Sequence, residues 1–166
     1  MGRPATIYLV RHAKAGERRV WTGDDVQRPL SNKGWRQSRA VATRLKSKGV
    51  TALYSSAYVR CMQTLEPLGE SLGLPVQAEP CLFEHQPIEP VLEFLQHVED
   101  GAVLCSHGDI IPAVIRQLQR EGMRVETPPD WGKAGVWVLR RTSQRVTHGK
   151  VWPPPLLSSR KLAQAR

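Results

Sequence analysis

Two histidines occupy matched places in the chain. His12 follows the run Ala5-Thr6-Ile7-Tyr8-Leu9-Val10-Arg11, and His107 follows Gly101 to Ser106. Both runs are short, continuous and apolar, the pattern of a strand buried on both faces. An imidazole at the carboxyl end of such a strand faces the crevice where open α/β sheets take their ligands. A third run ends in Ser55-Ser56 and leads into a helix with Arg60 in its first turn and Thr64 one turn on. A cation there opposes the helix dipole, which makes sense when an anion also binds the free amides of that turn. A single histidine in such a place is more often a hydrogen-bonded structural group, and a single arginine is often just solvated. Two matched histidines, one preceded by Arg11, favour a joint role. Arg11, His12, Arg60 and His107 then form a cationic nest suited to a phosphoryl group, whose oxygens pair with guanidinium forks.

These groups need a scaffold, and hydropathy patterning supplies one. Strands are expected at Ala5–Val10, Val50–Ser55, Val76–Ala78, Gly101–Cys105 and Val136–Leu139, with a weaker one at Arg145–Lys150. Ser31 reads as the N-cap of a helix carrying the apolar stripe Trp35, Val41, Ala42 and Leu45, with a Leu30–Trp35 staple and Gly49 as its stop. Further helices are expected at Ala57–Leu72, kinked or broken at Pro67, at Glu89–Val98 and at Asp109–Arg120. Alternation of strand and helix predicts an α/β fold, a three-layer αβα sandwich around a mainly parallel sheet. Residues 13–30 show neither periodicity and read as a long functional loop. The domain is expected to span 1–150, followed by an extended or disordered Pro-rich basic tail at 151–166.

Charge narrows the partners. Residues 1–50 hold 12 basic and 3 acidic side chains, 51–100 hold 1 and 8, and 101–166 hold 11 and 4. An anionic partner is therefore expected near the first and last thirds. A nucleic-acid-binding module would also explain the excess, but the chain lacks a recognisable binding motif and aromatics interleaved on a basic strand. Nucleic acid is not the expected partner. Cys61, Cys81 and Cys105 are an odd number at spacings that fit neither a disulfide framework nor a C-x-x-C metal site, so they read as reduced thiols. Arg11 and His12 interrupt the first hydrophobic run, and no run reaches the length of a membrane span. The expectation is a cytoplasmic protein without membrane contact.

The string Leu9-Val10-Arg11-His12-Ala13 resembles the R-H-G signature of the histidine phosphatase superfamily, whose fold is phosphoglycerate mutase-like. Asp25, Arg28-Pro29-Leu30-Ser31 and Gly34 are similar to a segment of its small SixA-like phosphohistidine phosphatases. The same holds for Ser55-Ser56 with Arg60, Gln63 and Thr64, and for Ser106-His107. The likeness spans about residues 5–140 and extends to the phosphatase domain fused to some MutT-type Nudix hydrolases, here without the Nudix part. Ala13 departs from the signature glycine, and Gly108-Asp109-Ile110-Ile111-Pro112 departs from the SixA pattern after the second histidine.

The resemblance implies a metal-independent phosphatase that needs no cofactor. Neutral His12 would attack phosphorus while Arg11, Arg60 and His107 hold the oxygens. Glu84 matches the acidic residue of the family and would protonate the leaving group from a partly apolar setting, with Asp109 as competitor or as a helix cap. Lys14, Arg18, Arg19 and Arg28 would extend the positive field from the loop, where Trp21 could stack on a base or a peptide side chain, or the whole loop could simply be solvated. Trp35 belongs to the core. His85, His97 and His148 lack partners at metal-ligand spacing and are assigned no role. The substrate would be a phosphohistidine protein, a nucleotide or a small phosphate ester. A mutase acting between hydroxyls would need insertions that the chain has no room for.

Overall fold

In a computed structural model that describes residues 3–157, the apolar runs assemble into one seven-stranded sheet. The chain runs β1 (Ala5–Arg11), α1 (Asn32–Leu45), β2 (Ala52–Ser55), α2 (Val59–Leu72), β3 (Val76–Ala78) and α3 (Glu89–His97). It continues through β4 (Ala102–Ser106), α4 (Ile110–Arg120), β5 (Arg124–Val125), β6 (Val136–Thr142) and β7 (Arg145–Trp152). The sheet order is β3-β2-β4-β1-β6-β7-β5. The four strands β3, β2, β4 and β1 pair in parallel, while β6 is antiparallel to both β1 and β7. Short links force this split: β6 and β7 are joined by a tight hairpin, whereas each parallel strand needs a helical crossover.

Two hydrophobic layers sandwich the sheet. Alternate residues of β1 point to opposite faces, so Ile7 and Leu9 pack with Val91, Leu95, Val114 and Ile115 of α3 and α4. Tyr8 and Val10 pack on the other face with Val41, Leu45, Leu65 and Leu68 of α1 and α2. Among the described residues no helix is long and apolar enough to cross a membrane.

Ser31 caps α1 as its sequence suggests, accepting from the Gly34 amide at 3.1 Å. Two expectations change. First, α2 runs unbroken through Pro67. Leu65 and Leu68 are fully buried on either side of it, and that anchoring absorbs the missing amide donor. Second, β7 extends to Trp152, two residues into the segment expected to be tail; its indole is held under the Arg44 guanidinium at 3.9 Å. The rest of that segment from residue 158 lies outside the described residues.

The loop leaving β1 is fixed against α1 by close backbone contact. A Cβ on Gly34 would sit 1.9 Å from the Lys14 carbonyl oxygen, which also accepts from the Ser31 amide at 2.9 Å. Gly34→Ala must push this loop away. The expected cost is about 1–3 kcal/mol, read as a fall in melting temperature of about 2–4 °C per kcal/mol for a chain of this size. An unchanged thermal transition would show that the contact is not tight.

Candidate active site

Parallel pairing brings the two histidines side by side. Arg11 is in register with Ser106, and the His12 amide continues the ladder by donating to the Ser106 carbonyl at 3.1 Å. The imidazole rings of His12 and His107 lie 5.5 Å apart, edge to face. Arg60 arrives from the start of α2, beyond the end of β2, and is 1% exposed. Glu84 comes from the turn that follows β3. Four adjacent parallel strands thus deliver their following residues to one corner, as the pattern of strand ends predicts.

The electrostatics favour uncharged imidazoles. The Nδ1 of His12 lies 2.8 Å from the Ala13 carbonyl. A carbonyl only accepts, so Nδ1 carries the proton and Nε2 keeps a free lone pair. Burial pushes the pKa of His12 down to about 3; the Ala13 carbonyl pulls it up, and the charges of Arg60, Arg11 and Lys133 push it down further. His107 is likewise pushed down to about 3, first by burial and then by His12 and Arg60. Its Nε2 pairs with Ser56 Oγ at 2.8 Å. Its Nδ1 is buried without a partner among the described residues, as are Arg11 Nε and Arg60 Nε. Unpaired buried donors and acceptors cost stability, and three of those among the described residues belong to Arg11, Arg60 and His107.

The guanidinium groups are positioned by tight contacts. Arg11 donates to the Trp131 carbonyl at 2.6 Å. It also lies so close to Gly108 that a Cβ there would meet its Nη2 at 2.6 Å. Arg60 donates from Nη2 to Asp25 Oδ2 at 3.1 Å and to Glu84 Oε2 at 2.9 Å, and from Nη1 to the Asp25 carbonyl at 2.9 Å. Glu84 therefore sits in an ion pair with Arg60, and with Arg18 at 3.4 Å, not in the apolar setting expected for it. Asp109 does not cap α4 with its side chain; its carboxylate accepts the His85 amide at 2.8 Å.

The open cup has a volume of about 350 Å³ and is lined by Arg11, His12, Lys14, Arg18, Arg28, Glu84, Gly108, Asp109 and Lys133 among others. Arg28 is turned inward, donating from Nε to Asp25 at 2.9 Å and from Nη1 to the Gly16 carbonyl at 2.6 Å, so it braces the loop as well as lining the cup. Arg19 pairs with Glu17 instead.

Three contributors went unassigned in the sequence. Asp25 is the acceptor shared by Arg28 and Arg60. Burial opposes its ionisation, but the Arg28 hydrogen bond and the charges of Arg60 and Arg28 hold its carboxyl below the usual range. Ser56 orients His107, and Lys133 joins from the turn before β6. The Lys133 ammonium is pushed down by burial and by repulsion from Arg11, Arg28, Lys14 and Arg60, a measure of the positive field. The position of Asp25 in the quoted motif was the available signal; nothing local marks Lys133. Gln63 and Thr64 hold the loop onto α2: Gln63 Oε1 accepts from the Leu30 amide at 2.9 Å, and Thr64 Oγ1 from the Ala13 amide at 2.9 Å.

A sandwich of this topology, with paired imidazoles at the ends of adjacent parallel strands, is an α/β fold of the phosphoglycerate mutase-like type. Residues 7–87 match the histidine phosphatase superfamily, branch 1, so the chain carries a domain of that superfamily, with SixA among its structural neighbours. The structure of the protein histidine phosphatase SixA complexed with tungstate superposes with a TM-score of 0.71 at 25% identity, covering 86% of this chain and 92% of that one. A mycobacterial glucosyl-3-phosphoglycerate phosphatase shares the fold, with a TM-score of 0.61 at 17% identity over 92% of this chain and all of that one. The 8-oxo-(d)GTP phosphatase of Mycolicibacterium smegmatis is 33% identical over 157 residues, 90% of this chain. The chain spans about half the length of that relative, 48%.

The depressed histidines set a pH signature. Both have folded pKa values of about 3, below the value near 6.5 of an unfolded histidine. As pH falls from about 6.5 towards 3, the unfolded chain takes up protons that the folded chain refuses, so this pair lowers stability over that window and has no effect above it. In an NMR titration from pH 5 to 8, the ring protons of His12 and His107 should not shift. A midpoint near 6.5 for either one would contradict the neutral cup.

Proposed function

We propose that the chain is a phosphohydrolase that passes the phosphoryl group through a covalent intermediate on His12. One observation carries this reading: the bond from Nδ1–H of His12 to the Ala13 carbonyl leaves Nε2 unprotonated within a ring of guanidinium groups. Nε2 attacks phosphorus and forms the N–P bond as the bond to the leaving oxygen breaks. Arg11, Arg60 and His107 hold the three equatorial oxygens, so positioning and charge stabilisation supply most of the acceleration. The incoming phosphoryl oxygens compete for Arg60 Nη2 and release the Glu84 carboxylate, which takes up a proton from the substrate's phosphate monoanion or from water and passes it to the leaving oxygen. Water next attacks the phosphohistidine, with Glu84 taking the proton back. Tungstate is a phosphate-like oxyanion, and its presence in the complex of the related SixA supports an oxyanion cup here.

The substrate we propose is the terminal phosphoryl group of a small molecule, a nucleoside polyphosphate above all. The similarity to an 8-oxo-(d)GTP phosphatase over 90% of the chain supports this. The cup opens past Lys14, Arg18 and Lys133, which suits a chain of several phosphates. Phosphohistidine on a protein is the competing substrate, and a hydrolysis panel of nucleoside diphosphates and a phosphohistidine protein decides between them.

His12→Ala should abolish turnover and prevent trapping of an acid-labile phosphoenzyme. Arg60→Ala should slow turnover by about 10²–10³-fold. A chelator should leave the rate unchanged, because fixed cations carry the charge stabilisation. Turnover that survives His12→Ala would overturn the mechanism. Glu84→Gln should cost about 10²–10⁴-fold with a poor alkoxide leaving group and much less with a good one; equal losses with both would assign Glu84 to positioning Arg60 alone.

A further inference from the structure

A second hollow opens beside the cup. It has a volume of about 310 Å³ and is bounded by Arg18, Trp21, Gly23, Asp25, Glu84 and His85. Arg18 and Glu84 also line the cup, so the two spaces adjoin. Their chemistry differs: the cup is mainly cationic, and the neighbouring space sets the Trp21 indole and the His85 imidazole beside Arg18, Asp25 and Glu84.

Trp21 is 39% exposed yet held in place. Its indole N–H donates to the Asp24 carbonyl at 2.9 Å, and its amide donates to the Glu17 carbonyl at 3.1 Å. The ring lies against Gly23, where even a Cβ would stand at van der Waals distance, 3.4 Å from the indole nitrogen. His85 also borders the hollow, its side chain 77% exposed. Its backbone is left-handed at φ 63°, fixed by the bond from its amide to Asp109 at 2.8 Å. A non-glycine residue is held in that region at a cost, and such outliers gather at ligand sites. Arg18 spans the two spaces, and at 65% side-chain exposure its ion pairs with Asp25 and Glu84 exchange readily for a phosphate.

We infer that this hollow is a nucleobase subsite, in which the base of a nucleoside polyphosphate stacks on Trp21 beside His85 while its terminal phosphoryl group reaches His12. The inference rests on the phosphohydrolase reading and names the part of the substrate that the cup does not hold. A flat, anchored indole next to a phosphoryl cup recognises a π-face, and base–aromatic stacking tolerates any base. Selectivity for nucleotides over other phosphates then comes from this shelf.

The test pairs GDP with inorganic pyrophosphate, which presents the same phosphoanhydride without a nucleoside. Trp21→Ala should raise KM for GDP at least fivefold and leave kcat/KM for pyrophosphate within twofold, and Trp21→Phe should restore most of the GDP affinity. Equal effects on both substrates, or none on GDP, would overturn the shelf. A binding measurement keeps this apart from the chemistry. In the His12→Ala protein, GDP should quench tryptophan fluorescence, and Trp21→Phe should remove that quenching. Quenching that persists in Trp21→Phe would sink the inference. Turnover that survives His12→Ala would sink the mechanism instead.

Discussion

The whole site depends on keeping two imidazoles uncharged within a few ångströms of fixed cations. Burial supplies most of that effect; Arg60, Arg11 and Lys133 add to it at His12, and the His12 ring and Arg60 add to it at His107. A protonated His12 would be repelled by Arg11 and Arg60 and would have no lone pair to offer. The positive field that keeps the lone pair of His12 free is the same field that draws anions to the cup. The backbone sets the direction: the Ala13 carbonyl selects the tautomer, and the Thr64 hydroxyl holds the Ala13 amide, so the orientation of the ring is built into the end of β1.

Cations at this density need counter-charge while the site is free. Asp25 and Glu84 provide it, bonding the same nitrogen of Arg60. A buried guanidinium with no anion would be strongly destabilising. Under the proposed mechanism a phosphoryl group takes over that task, so binding is an exchange of one anion for another at Arg60 and frees the carboxylate assigned the proton transfer.

Much of this was legible in the sequence because it is local. Apolar runs ending in histidine mark strands that end at the crevice, Ser31 marks a helix start, and an arginine in a first helical turn marks a cation brought to the same corner. The remainder depends on distances across the fold. Asp25 gains its role only when the loop folds over α2, 35 residues away in the chain. Lys133 lies in a turn with no periodic signal. Glu84 looked like a carboxylate beside apolar Leu82 and Phe83, and only the arrival of Arg60 and Arg18 makes its surroundings polar. Two-residue β5 is too short for any hydropathy pattern, and it forms because β7 offers it an edge.

The loop after β1 is tied down unevenly. Its ends are held to the helices through Gln37, Gln63 and Thr64, while residues 17–23 rest mainly on contacts within the loop itself. Changes in that middle stretch reshape the border of the second hollow and leave His12, Arg60 and His107 in place. The residues that gather at the strand ends lie outside this stretch, and descendants of this chain are free to drift in the one while the other stands still.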